Sequence, residues 1–208
     1  MKLLMSTTLA MTALLFSGAS WASDARAELQ ERLAPVSTLQ ADFVQQVVDA
    51  QGELVQELQG RLAMARPNKF FWQSDAPDEL VLVADGSTIY YYDPFVEQVT
   101  LNHQQNSASQ SPFLLLLDGD ATAWADYQVT AAGTSYQLEP VDGAEAQQSL
   151  QLNFADDVLS EVILDDGQNQ LTRIALSNVQ LNAALPPSTF QFEMPAGVAI
   201  DDQRGDND

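Results

Sequence analysis

The pattern that most limits this chain is a period of two, broken at regular intervals by turn residues. Leu39, Ala41, Phe43 and Val47 mark one side of a run in which Gln40, Asp42 and Gln46 intervene. Side chains alternate faces along a strand, so such a run suits a half-buried antiparallel strand rather than a helix. Gln51-Gly52 then makes a turn, and Leu54 to Ala65 returns. Asp85-Gly86 and Asp166-Gly167 are stronger hairpin signals, because glycine supplies the positive φ a tight turn requires and both lie between β-branched or aromatic runs. Further strands are predicted at Tyr127 to Thr130, Tyr136 to Pro140, Leu150 to Phe154, Val158 to Leu164, Leu171 to Val179 and Phe190 to Phe192. About ten strands at this spacing predict a mostly β (α+β) chain built on an antiparallel sheet, curled or closed.

Two segments depart from the pattern. Asp24 to Leu33 suits a helix, with an acid at its start, Leu29 and Leu33 one turn apart, and Pro35 as the stop. Pro112 to Leu117 reads Pro-Phe-Leu-Leu-Leu-Leu after the polar loop 104–111, with proline at a plausible first helical position. That piece is too short to hold alone and must pack on something apolar. A sheet needs its apolar face covered, and these two pieces are the available lids.

The N-terminus reads as an export signal: Lys2, a largely apolar Leu3 to Phe16, and small residues around Ser20-Trp21-Ala22. Cleavage after Ala22 is expected, leaving residues 23–208 as one domain outside the cytoplasm. The 208 residues carry 29 acids against eight bases, a net charge of −21, and no cysteine. Loss of residues 1–22 removes Lys2 and no acid. Such a surface repels nucleic acid and anionic membranes. The missing cysteine excludes disulfides, thiolate metal sites and lipid attachment of the chain itself.

The catalytic inventory is thin. His103 is the only histidine, so a Ser-His-Asp triad would have to use it, and no G-x-S-x-G motif accompanies it. One histidine builds no multi-histidine metal site. Paired-carboxylate hydrolysis is arithmetically open, but the acids fall singly or in turns such as Asp156-Asp157 and Asp165-Asp166. The acidic tail from Asp201 lacks the glycine placement and terminal Glu of a calcium loop, and is expected to be mobile at its very end. No phosphate-cradling glycine loop is present. Phe43, Phe70, Trp72, Tyr91 and Phe113 suit an ordinary sheet core as well as a surface that receives lipid. Arg66 ends an apolar strand beside a proline corner. It reads either as a surface arginine with its stem on apolar side chains or as a latch on backbone carbonyls.

Several ordered motifs go further. They are L-Q-E-R-L-A-P-V-S-T-L-Q-A-D-F-V-Q, V-Q-E-L-Q-G-R-L-A-M-A-R-P-N-K-F-F-W, D-G-S-T-I-Y-Y-Y-D-P-F-V-E-Q-V-T, S-P-F-L-L-L-L and P-A-G-V-A-I-D-D-Q-R. Together they resemble the periplasmic outer-membrane lipoprotein carriers, the LolA family. The resemblance implies an unclosed antiparallel β-barrel with a helical lid over an apolar cavity. It implies that Arg66 latches the lid and that Phe43, Met64, Phe70, Trp72 and Tyr91 meet acyl chains. The lid would comprise Leu29 and Leu33 with Phe113, Leu114, Leu115, Leu116 and Leu117. It further implies a monomeric periplasmic chaperone, with no catalysis and no cofactor. Acylated lipoproteins would pass from the inner-membrane LolCDE transporter to the outer-membrane receptor LolB. Four consecutive leucines make this lid bulkier than one ending in a small residue, and Ala65 stands where some carriers have a base. A lipid-binding or lipoprotein-sensing protein of the same fold, an acidic hydrolase and a filled structural β domain remain alternatives.

Overall fold

The computed structural model describes residues 20–104, 116, 123–141, 148–168 and 170–205. Of the predicted lid, Phe113, Leu114, Leu115 and Leu117 lie outside these residues. Helix α1 spans Ser20–Leu33 and begins four residues before the predicted start. Twelve strands follow: β1 Thr38–Val48, β2 Leu54–Ala65, β3 Lys69–Ser74, β4 Val81–Ala84, β5 Thr88–Asp93 and β6 Gln98–His103. Then come β7 Tyr127–Ala132, β8 Ser135–Pro140, β9 Ser149–Ala155, β10 Val158–Asp165, β11 Leu171–Leu181 and β12 Ala199–Asp202. They form one sheet in the order β12-β6-β5-β4-β3-β2-β1-β11-β10-β9-β8-β7, whose outer strands do not pair with each other. The sheet curls, since Trp72 and Leu82 on one wing line the same groove as Leu164 and Ile174 on the other. It is a barrel left open.

Two β-bulges let long strands keep their apolar residues inside this curve. Along β11, Ile174 and Leu176 face the core, as do Val179 and Leu181, although the two pairs differ in phase. An extra residue sits between them: pairing passes from Gln40↔Gln180 to Asp42↔Ser177, and Asn178 takes φ 51. The Asn178 amide donates to Asp42 Oδ2 at 2.7 Å, a side-chain bond that bridges the irregularity. Likewise Leu159 and Val162 are both buried because Ser160 is the extra residue on β10. At Gly60, opposite Ser74, a Cβ would stand 2.0 Å from the Gln73 carbonyl oxygen, so only glycine permits this approach of β2 to β3.

The concave face holds the main core. Leu39, Ala41, Phe43 and Val47 are all buried, as the alternation requires. Ala25, Leu29 and Leu33, one turn apart along α1, join the same cluster with Tyr127, Tyr136, Leu138 and Leu152. A helix of this length is marginal alone, so burial of that seam is what holds it.

The convex face differs from expectation. Phe190 to Phe192 is not a strand. Pro186 and Pro187 fix the backbone and lack the N–H groups that pairing needs, and Pro187–Phe190 forms a 3-10 turn with Thr189 N–H donating to Pro186 O at 3.0 Å. Phe190 is buried, while Phe192 stacks on Tyr90 with ring centroids 5.1 Å apart. The chain then adds β12 beside β6 in parallel, so the sheet is mixed rather than purely antiparallel. Asp201 and Asp202, read from the sequence as the start of an acidic tail, are part of that strand; the tail's end, 206–208, lies outside the described residues.

Candidate functional site

Arg66 closes β2 at the Arg-Pro-Asn corner. Its backbone N–H donates to Ser37 O at 2.9 Å, which ties the corner to the start of β1. Beyond it, Asn68 Nδ2 donates to Gly86 O at 3.2 Å, and Gln104 Nε2 donates to Asn68 O at 2.6 Å. Gly86 N–H returns a bond to Gln104 Oε1 at 2.9 Å. Gly86 has φ 108, and a Cβ there would crowd Asn68 Oδ1 at 3.0 Å, so this turn position calls for glycine on two counts. The neighbouring Asp85 accepts from the backbone N–H groups of Ser87 and Thr88 at 2.8 and 2.9 Å. Burial pushes the Asp85 carboxyl up, but those bonds, with others from Ser87 and Tyr90 side chains, together hold it below its ordinary value.

From this braced corner the half-buried Arg66 side chain reaches across, and Nη2 donates to Leu116 O at 3.3 Å. Leu116 itself is buried. A small apolar cavity of about 30 Å³ lies beside this contact, walled by Leu33, Met64, Arg66, Leu116, Phe154 and Leu159 among others.

A second, open groove of about 360 Å³ lies on the concave face, with Phe70, Trp72, Leu82, Tyr91, Leu164 and Ile174 on its walls. Phe43 stacks on Trp72 with centroids 3.6 Å apart, and Phe70 is tilted against Trp72 at 6.4 Å. The five predicted acyl-contacting residues are thus divided. Phe70, Trp72 and Tyr91 line the open groove, Met64 lines the small cavity by Arg66, and Phe43 is buried behind Trp72. Tyr91 is the most exposed of them at 38%, and its hydroxyl is pushed above the ordinary value by burial and then by Asp93. Leu29 and Leu33 lie in the core under α1.

His103 ends β6 and contributes to lowering the Asp202 carboxyl, to about 2, a shift caused mainly by its side-chain hydrogen bond to Arg204. Among the described residues no three His, Cys, Asp or Glu side chains gather to hold a metal ion, and no helix is long and apolar enough to cross a membrane. Three residues central to the site escape sequence reasoning. Gln104 fell in a loop of polar residues, yet it is buried and bonds both Asn68 and Gly86. Glu28 and Arg32 attach α1 to the sheet; their i, i+4 spacing on the flank of the Ala25-Leu29-Leu33 seam is the signal that marks them.

Residues 34–193 match the family described as outer membrane lipoprotein carrier protein LolA. The chain belongs to the LolA family. Its members are periplasmic transport chaperones, not enzymes, and their cargo is lipoprotein. The chain is 40% identical over 176 residues to the outer-membrane lipoprotein carrier protein of Idiomarina loihiensis, covering 84% of this chain and 86% of that one. It is 39% identical over 210 residues to that of Pasteurella multocida, covering 98% of each. Among solved structures, the LolA superfamily protein NE2245 of Nitrosomonas europaea is similar with a TM-score of 0.50 at 12% identity, covering 84% of this chain and 99% of that one. That last likeness concerns the fold alone.

Proposed function

We propose that this chain, after export and cleavage near Ala22, works in the periplasm as a monomeric carrier of acylated lipoproteins. It accepts them from the inner-membrane LolCDE transporter and passes them to the outer-membrane receptor LolB. The observation that carries the reading is Arg66, set in a braced corner of a LolA-family chain and bonded to the Leu116 carbonyl beside an apolar cavity. A cavity of about 30 Å³ is too small for an acyl chain, so loading requires it to widen, and the Arg66 contact stands at its edge. Phe70, Trp72 and Tyr91 then offer apolar surface already open along the groove.

The energetics fit a passive carrier. Each methylene withdrawn from a bilayer costs ~0.8 kcal/mol, so several long chains amount to tens of kcal/mol. Release from the inner membrane therefore needs ATP spent by the transporter, and the carrier hydrolyses nothing. Delivery then runs downhill toward an acceptor that holds the chains better. The test is release from spheroplasts or transporter-containing vesicles supplied with ATP and the purified mature chain. Acylated lipoprotein appearing in the soluble fraction, bound one-to-one, is the expected result. No release while an authentic carrier works alongside would refute the carrier reading.

A further inference from the structure

Arg66 secures one side of the cover over the concave face; the other side is secured from α1. Arg32 lies one turn beyond Glu28 on the flank of that helix. Its guanidinium carbon sits 5.0 Å from the ring centre of Phe154 and 5.8 Å from that of Tyr136. Nη1 donates to the Asp156 carbonyl at 2.8 Å and stands 3.6 Å from Asp157 Oδ1. The Asp157 side chain is 93% exposed, so its charge is screened by water and adds little. The hold comes instead from the aromatic seat and from a charge-assisted bond to a carbonyl in the β9–β10 turn, where Asp156 takes φ 54. One turn earlier, the Tyr136 hydroxyl donates to Glu28 Oε1 at 2.6 Å. Burial, and then this bond, raises the Tyr136 hydroxyl above its ordinary value, which keeps it a donor.

Arg32 and Arg66 line the same cavity of about 30 Å³, together with Leu33 and Leu116. They reach it from different elements and grip different ones. Arg66 stands on β2 and holds the Leu116 carbonyl, whereas Arg32 stands on α1 and holds the β9–β10 turn. Breaking the Arg66 bond alone leaves Leu33 seated against the sheet. We propose that Arg32 is a second clasp, a positioning residue that holds the C-terminal turn of α1 on the β9–β10 hairpin and must let go before the cavity admits an acyl chain. The proposal rests on the carrier reading, and it adds that opening takes two separate releases.

The test uses the mature chain with Arg32→Gln and Arg32→Lys. Stopped-flow fluorescence follows entry of the neutral apolar probe N-phenyl-1-naphthylamine, and amide exchange is read separately in α1 and in β9–β10. Arg32→Gln is expected to speed probe entry and α1 exchange about tenfold, the effect of losing one charge-assisted hydrogen bond. Strands β9 and β10 keep their protection. Arg32→Lys keeps the cation over the two rings but loses the planar fork, so a smaller rise is expected, and it serves if the glutamine variant does not fold. Exchange rising equally in helix and strands would reduce Arg32 to a general stabiliser; unchanged entry and unchanged α1 exchange would remove the clasp altogether. If the wild-type chain takes up the probe yet releases no lipoprotein from vesicles, the carrier reading fails while the clasp stands.

Discussion

The two faces of the curled sheet are covered in different ways. On the convex side the C-terminal segment is fixed by continuous means: β12 pairs along β6, Phe192 stacks on Tyr90, and Phe190 is buried. On the concave side α1 is held by a short apolar seam and a few polar contacts at its flank. A small cavity and an open groove remain on that side. Backbone pairing and stacked rings hold the C-terminal segment through several contacts that must be lost together, whereas a handful of side-chain hydrogen bonds can be exchanged one at a time. On the carrier reading proposed above, the same sheet carries one cover built to stay and one built to lift.

The largest effect should come from weakening the permanent cover. Phe190→Ala removes a buried ring and leaves a cavity, which typically costs ~3–5 kcal/mol. Urea unfolding should show that loss, with lipid-probe binding by the surviving folded fraction unaltered. A cost under about 1 kcal/mol would mean the C-terminal cover is as loosely held as α1, and the contrast would collapse.

Arg66→Leu tests the movable cover. Stability should change by about 1–2 kcal/mol, since a half-buried side chain loses its polar contacts, the bond to the Leu116 carbonyl among them, and an apolar one replaces it. Transfer of bound lipoprotein to the receptor should nevertheless fall about tenfold or more, equivalent to ~1.4 kcal/mol. Normal transfer by a well-folded Arg66→Leu chain would leave Arg66 a structural residue of the corner.

How much of this could be read in advance follows the same division. Strand alternation is a local property, and Leu39, Ala41 and Phe43 fell on the buried side as read. The hairpins at Asp85-Gly86 and Asp166-Gly167 were legible because positive φ leaves a mark in residue type. The convex cover was not legible. Phe190 and Phe192 look like alternating strand residues, and what diverts them is the Pro186-Pro187 pair upstream. The parallel strand Ala199–Asp202 has no local signature, since its partner lies about a hundred residues earlier in the chain. For the site, Arg66 was marked by its corner. Arg32 had only its i, i+4 spacing from Glu28 to mark it, because its value lies in the rings and the carbonyl supplied by β8, β9 and the following turn.

Within the concave side, Tyr91→Ser separates groove from core. Tyr91 is 38% exposed, so its loss should cost little stability. Affinity for an acyl probe should drop several-fold, in line with ~25 cal/mol per Å² of apolar surface withdrawn from contact. Phe70 is the weaker choice for this purpose: it is buried, and a charge placed there would disturb folding before it reported on lipid. Unchanged probe affinity in Tyr91→Ser would move the acyl path away from the open groove and toward the cavity beside Met64 and Arg66.

The smallest effect concerns the corner on which Arg66 stands. Asp85 has a folded-state pKa below its unfolded value, so the stability it contributes is present above the unfolded value near 3.8 and is lost as pH falls through the folded one. Asp85→Asn keeps an acceptor for Ser87 and Thr88 but removes the charge. The variant should match the wild type within about 0.5 kcal/mol near pH 7 once the weaker neutral bonds are allowed for, and its stability should fall less steeply below pH 4. Because Gly86 binds Asn68 and Gln104, acid loosening of this turn should raise amide exchange at the Arg-Pro-Asn corner before it does so along β12. If β12 loosens first, the permanent cover is the more acid-sensitive of the two, its Asp202–Arg204 pair being the next group to examine.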